Sequence, residues 1–204
     1  MAERVRVGVL ISGRGTNMIA LSEYKRREPR SYALALVASN MPEARGLVAA
    51  RRLAIPTWTM SHKGMDRAAF DSLLDAALRA HGVEIIALAG YMRLLSPEFI
   101  RGWEGRILNI HPSLLPAYKG LDTHRRAIEA GESWSGCSVH LVTESLDDGP
   151  VLAQAKVKVR ERDTPEALAE RILAEEHRLY PETLDIFAAR LLGRREMVES
   201  GRIE

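Results

Sequence analysis

The sequence predicts an α/β protein: a doubly wound, mostly parallel sheet followed by a C-terminal antiparallel strand pair and a long C-terminal helix. Three observations carry this expectation. Over residues 5–110 short apolar runs alternate with stretches of helical periodicity, the pattern of a parallel sheet with helices on both faces. Residues 139–143 and 151–159 alternate at period two instead, as the strands of an antiparallel pair do. Asp163, Thr164 and Pro165 then open a long helical stretch, proline being well tolerated in a first turn.

Taken in order, residues 5–11 form an apolar run broken by Arg6 and Gly8, which reads as a buried parallel strand. A glycine-rich turn leads to a helix over 18–26. Residues 32–38 make the second strand. Pro42 opens a helix with Leu47, Val48 and Leu53 on its apolar side, and residues 55–58 make a short third strand. Phe70, Leu73, Leu74, Ala77 and Leu78 recur at helical spacing before Gly82, a suitable terminator. The very apolar 84–89 stretch is a central strand, Pro97 starts a short helix, and residues 107–110 are the next strand. A helix over 123–130 ends at Gly131. In the following strand pair Gln154, Lys156 and Lys158 face one way and Ala155, Val157 and Val159 the other. Pro181 should kink or break the last helix, and the charged tail from Arg194 should fray. The order is Rossmann-like.

Composition narrows the class. The chain has 204 residues, 46% of them hydrophobic and 27% charged, enough apolar surface for one globular core. Net charge is +2, which leaves no electrostatic footprint for nucleic acid, while a pI near 8.8 suits a small anionic substrate. Cys137 is the only cysteine, so an internal disulfide and a cysteine-rich metal site are excluded. No signal peptide and no membrane-spanning run is present. A cytoplasmic setting is therefore expected.

The chemistry concentrates where strands end, since ligands of such sheets bind outside the carboxyl ends of the strands. Asn109 and His111 lie two apart at the end of a strand that Pro112 stops, so both project from one face. A buried amide and imidazole must be paired or serve a purpose. The turn Ser12-Gly13-Arg14-Gly15-Thr16-Asn17 joins a strand to a helix; glycines allow the turn and free N–H groups at the helix start bind anions. It lacks the third glycine of a dinucleotide site, since Met18 stands there, and lacks a Walker lysine. A phosphate monoester fits better than NAD or ATP, and a simple tight turn with a capped helix fits equally well. Met92, Leu94 and Leu95 after the central strand could line an apolar slot, or simply be core. Asp147 sits in an acidic hairpin loop, 144–150, and near an imidazole it would favour the imidazolium. His111, His124 and His140 have no metal-ligand spacing, and no metal is expected. Cys137 reads as buried filler.

The stretches Ile11 to Asn17, Gly90-Tyr91-Met92-Arg93-Leu94-Leu95-Ser96, Asn109-Ile110-His111-Pro112-Ser113-Leu114-Leu115-Pro116, Gly120 to His124 and Leu146-Asp147-Asp148-Gly149-Pro150, in this order, resemble the folate-dependent formyltransferases. The similarity is greatest to the branch acting on glycinamide ribonucleotide in purine synthesis. It covers nearly the whole chain. The tRNA-directed branch carries a further C-terminal domain and the hydrolase branch an N-terminal regulatory one, for neither of which this chain leaves room; sugar-nucleotide formyltransferases are a weaker match.

The resemblance implies one formyltransferase domain over 1–204, with 1–110 as its phosphate-binding half and 111–204 as catalytic loop, hairpin and C-terminal helix. It implies transfer from 10-formyltetrahydrofolate to glycinamide ribonucleotide by Asn109, His111 and Asp147, without metal. Gly15, Thr16 and Asn17 would hold the substrate phosphate and Glu176 the glycinamide. Arg67, Met92, Arg93, Leu94, Leu95 and Asn109 would hold the folate. The chain is expected to act as monomer or homodimer, with no nucleic-acid or membrane partner. Lys119 stands two positions later than the lysine of many relatives.

Overall fold

A computed structural model describes residues 3–24 and 30–199. Its seven strands form one sheet in the order β3-β2-β1-β4-β5-β6-β7. The strands are β1 (Val5–Ile11), β2 (Tyr32–Ser39), β3 (Thr57–Thr59), β4 (Ile85–Leu88), β5 (Ile107–His111), β6 (Trp134–Leu141) and β7 (Val151–Lys158). The first five run parallel, and β6 and β7 add antiparallel at the far edge. The α/β class, the mostly parallel sheet, the C-terminal strand pair and the long final helix are all as the sequence predicts.

The helices are α1 (Thr16–Glu23), α2 (Arg45–Arg52), α3 (Arg67–Ala80), α4 (Pro97–Gly102), α5 (Thr123–Glu129) and α6 (Pro165–Glu199). They cover both faces because alternate strand residues point both ways. Val5, Val7, Val9 and Ile11 bury with residues of α1, α2 and α6. Leu10 and Leu36 bury on the opposite face with Phe70, Leu74 and Leu78 of α3 and with Phe99 and Trp103.

Several boundaries differ from expectation, each for a local reason. The first helix stops at Glu23, with extended backbone at Tyr24; the expected end at Arg26 lies outside the described residues. The second helix starts at Arg45 rather than Pro42 because the chain first turns, Ala44 N–H donating to the Met41 carbonyl at 3.0 Å. Strand β3 begins after Pro56, which has no N–H for the ladder. Strand β6 begins at Trp134, well before residue 139. Its first half carries Ser135 and Ser138, which look like solvent positions but are buried. Ser138 is satisfied internally, accepting from Leu115 N–H at 3.0 Å and donating to the Ser113 carbonyl at 2.6 Å. Helix α6 runs through Pro181 unbroken. Proline removes only one ladder bond, and Tyr180, Leu184 and Ala188 pack into the core on both sides of it. The helix also continues past Arg194, where Arg195 pairs with Glu3 and Glu84.

Helix α6 is pinned to the sheet by one buried group. The Tyr180 hydroxyl lies 3.0 Å from the carbonyl oxygens of both Leu88, the last residue of β4, and Leu108, within β5. Losing a buried donor leaves its acceptors unsatisfied, at about 1–3 kcal/mol. Tyr180→Phe should lower the urea midpoint by a corresponding amount with an unchanged slope, as equilibrium denaturation will show.

Candidate active site

The strand order reverses between β2-β1 and β4-β5, and in such sheets ligands bind outside the carboxyl ends at that point. Two loops meet at this point. Ser12 N–H donates to the Gly90 carbonyl at 3.0 Å, and Met92 N–H donates to Ser12 Oγ at 2.8 Å. Ser12 Oγ in turn donates to Asn40 Oδ1 at 2.6 Å.

The first loop leads into α1 through Gly15 in the left-handed region, φ 73°, and no side chain caps the helix. A Cβ on Gly15 would lie 2.9 Å from the Gly46 Cα, so the turn packs directly on the first turn of α2. The first-turn N–H groups are therefore left for another acceptor. Asn17 is buried, its Nδ2 donating to Glu176 Oε2 on α6 at 2.7 Å and its Oδ1 lacking a protein partner. Glu176 is buried as well. Burial pushes its carboxyl above the ordinary range, and the bond from Asn17 offsets part of this. The expected phosphate loop and the expected acceptor-binding acid thus touch. The Asn17 side chain is engaged by Glu176, which leaves the backbone amides as the loop's free donors.

The second loop exposes Met92 and Leu94 and buries Leu95. Arg93 folds inward, its guanidinium 4.8 Å from the Phe70 ring centre and its Nε 3.9 Å from Asp71 Oδ1. Arg67 begins α3 beside the same acid. Burial raises the Asp71 carboxyl pKa against the opposing Ser96 hydrogen bonds and the Arg93 and Arg67 charges.

Asn109 and His111 stand at the end of β5. The hairpin between β6 and β7 folds back over them, because Gly149 lies against the Leu141 carbonyl, 1.8 Å from where a Cβ would sit. Asp147, at φ 47°, then reaches His111. Its Oδ2 is 3.4 Å from His111 Nδ1 and accepts Gly120 N–H at 3.0 Å. Its Oδ1 is 3.6 Å from His140 Nε2. Burial opposes ionisation of Asp147, but its surroundings, the Gly120 N–H and the His111 charge among them, outweigh it and hold the carboxyl below the usual range. His111 Nε2 lies 3.0 Å from the Tyr118 carbonyl. Both ring nitrogens of His111 face acceptors, which suits an imidazole carrying two N–H groups.

Two histidines set aside in the sequence reading lie close by. His140 Nε2 is 3.1 Å from Asn109 Nδ2. Antiparallel pairing places 140 opposite 109, a register that the spacing along neither strand encodes. His124 is kept toward its neutral form by burial and by the charge of His111. Cys137 is buried and its thiol pushed up to about 12, chiefly by burial. Lys119 pairs with Asp148 at the rim. Among the described residues no group of three or more His, Cys, Asp or Glu side chains is placed to hold a metal ion, and no helix is long and apolar enough to cross a membrane.

Comparison with known proteins agrees with this geometry. Residues 5–184 match the Formyl transferase family. Phosphoribosylglycinamide formyltransferase of Escherichia coli (strain K12) is 42% identical over 185 residues, covering 90% of this chain and 87% of that protein. The trifunctional purine biosynthetic protein adenosine-3 of Gallus gallus is 45% identical over 202 residues, covering 98% of this chain. This chain spans only 20% of that longer protein. The crystal structure of glycinamide ribonucleotide transformylase 1 from Symbiobacterium toebii superposes with a TM-score of 0.88 at 46% identity, covering 93% of this chain and 90% of that one. By sequence and fold, the chain belongs to the formyl transferase family.

Proposed function

We propose that the protein transfers the formyl group of 10-formyltetrahydrofolate to the primary amine of glycinamide ribonucleotide, a step of purine synthesis. The cytoplasmic setting belongs to the same reading. The observation that carries it is the contact between His111 and Asp147 beside Asn109, at the edge of the sheet where β1 also ends in an uncapped helix start.

The residues divide the work by their chemistry. Backbone amides at Gly15, Thr16 and Asn17 suit the substrate phosphate. Glu176, held by Asn17, faces the glycinamide end. The backbone from Met92 through Arg93 and Leu94 to Leu95, with Asn109, suits the flat folate ring, and Arg67 supplies positive charge toward its carboxylates. The amine nitrogen attacks the formyl carbon, and the carbonyl electrons move to oxygen. His111 and Asn109 donate hydrogen bonds to that oxygen, whose charge grows in the transition state; for His111 Nε2 the oxygen replaces the Tyr118 carbonyl as acceptor. Collapse breaks the carbon–N10 bond, N10 takes a proton, and the amine loses one through water beside Asp147. The amine is itself the nucleophile, so no covalent enzyme intermediate is required.

The direct test is release of tetrahydrofolate from 10-formyltetrahydrofolate with and without glycinamide ribonucleotide. Release only with the acceptor is expected; release without it would point to a hydrolase, and transfer to a different amine would revise the acceptor. Full activity in excess chelator is expected too, and loss of activity there would favour a metal-dependent hydrolase. His111→Asn should lower kcat by ~10²–10³ with little change in ribonucleotide KM, as steady-state kinetics will read.

Glu176 makes a second, opposite-signed prediction. Its folded carboxyl titrates above the ordinary 4.5. The folded state thus binds this proton more tightly, and its contribution is full below about 4.5 and lost as pH rises through the raised value. At neutral pH the buried carboxylate destabilises the fold. Glu176→Gln should therefore raise Tm at pH 7.5, leave it unchanged near pH 4, and raise KM for the ribonucleotide. Thermal melts at the two pH values, with kinetics, check both halves.

A further inference from the structure

We propose that His140 is a positioning residue for Asn109: its imidazole, protonated on Nδ1 alone, accepts a hydrogen bond from Asn109 Nδ2 and fixes which end of that amide faces the reacting carbonyl. The inference rests on the function proposed above, and it concerns a residue outside the set that the motif carries.

An asparagine amide has two ends of nearly equal size and opposite character. Presented with its nitrogen toward the formyl oxygen, Asn109 stabilises growing negative charge. Presented with its oxygen, it repels that charge. Something in the fold must choose between the two, because Asn109 sits at a strand end where it is only partly buried. His140 is the neighbour placed to do so. It lies directly across the antiparallel ladder from Asn109, is 2% exposed, and has Nε2 3.1 Å from Asn109 Nδ2.

The state of the ring follows from its other contacts. Nδ1 lies 2.9 Å from the Leu141 carbonyl, which can only accept, so Nδ1 carries a proton. Two groups then face Nε2: the Asn109 amide at 3.1 Å and Asp147 Oδ1 at 3.6 Å. A second proton on Nε2 would serve the longer contact and lose the shorter one. It would also set two imidazolium rings, His111 and His140, against the single carboxylate of Asp147. The excess positive charge would be buried, because both rings are, and a buried unpaired charge is strongly unfavourable. With His140 neutral, the carboxylate is matched by one cation, and the Nε2 lone pair is left to take an N–H. A lone pair accepts only from the nitrogen end of an amide. One Asn109 N–H is thereby anchored and the other stays on the side of the nitrogen, available to the substrate oxygen. The groups facing His140 are accordingly Asn109 from β5, Asp147 and indirectly His111 across the hairpin, and the Leu141 carbonyl on its own strand; Val151 is its neighbour on β7.

Two measurements on the full chain test this. Long-range proton–nitrogen NMR of histidine-labelled wild type at pH 7.5 reads the tautomer of His140 without turnover; a proton on Nδ1 and none on Nε2 is expected. The kinetic arm compares His140→Phe in the wild-type background and in Asn109→Ala. In wild type kcat should fall about 10-fold or more, short of the ~10²–10³ expected for removing an oxyanion donor outright, with KM for both substrates little changed. In the Asn109→Ala background the same change should have almost no further effect, because the positioned group is gone. A general packing defect would instead lower kcat in both backgrounds alike. His140→Gln, which returns an acceptor oxygen, should recover part of the loss. A wild type without transfer activity overturns the underlying functional reading and this inference with it. An active wild type showing a proton on Nε2, or equal losses in the two backgrounds, overturns the inference alone.

Discussion

The contact between Asp147 and His111 is the constraint around which the remaining structure is arranged. An imidazole at the end of a buried strand has no partner from its own element, and β4 beside it runs the same way. The chain solves this by ending its sheet differently. Strands β6 and β7 join antiparallel, β6 ending opposite Leu108, and the loop between them folds back along β5 until Asp147 meets His111. The tight approach at Gly149 brings the carboxylate over the ring. Gly120 N–H closes the other side of that carboxylate, which also ties the loop after β5 to the hairpin. Removing the carboxylate would loosen three pieces of chain at once.

The second half of the cleft is built on a different economy. Its polar groups are buried and incompletely satisfied: Asn17 Oδ1, Arg93 Nε and Nη2, Asp71 Oδ1 and the Tyr91 hydroxyl have no hydrogen-bond partner in the protein. Such groups are unfavourable for folding, and, apart from Asp71 on α3, they lie along the two loops proposed to take the phosphate and the folate. The same holds for Glu176, whose burial disfavours its charge. Stability is given up there, while the strand pair and the two apolar layers supply the compensation. This division is common in sites that must hold polar ligands away from water.

The fold was legible because its signals are local. Apolar runs such as 5–11 and 84–89 leave little choice but buried strands, and the period-two pattern of 151–159 shows up directly as alternating exposure in β7. The errors occurred where tertiary context overrode local pattern. Ser135 and Ser138 are polar yet buried, Ser138 with internal partners, and this polar stretch hid the first part of β6. Pro181 looked like a break and was carried through by packing on either side. For the site, Asn109 and His111 were readable from strand periodicity alone, whereas the approach of Asp147 depended on the family resemblance. Neither route could reveal that the Asn17 side chain faces Glu176 or that His140 faces Asn109. Both are long-range contacts that depend on register and helix placement, and no spacing within a sequence encodes them.

The claim that everything else rests on is that Asp147 is an ionised partner of His111 inside the folded protein. Carbon-13 titration of the Asp147 carboxyl, in wild type and in His111→Asn, tests it most directly. The account predicts a wild-type midpoint below the ordinary carboxylate value of 3.8, moving upward when the imidazole is removed. A midpoint at or above 3.8 in wild type, or one indifferent to the loss of His111, would contradict it.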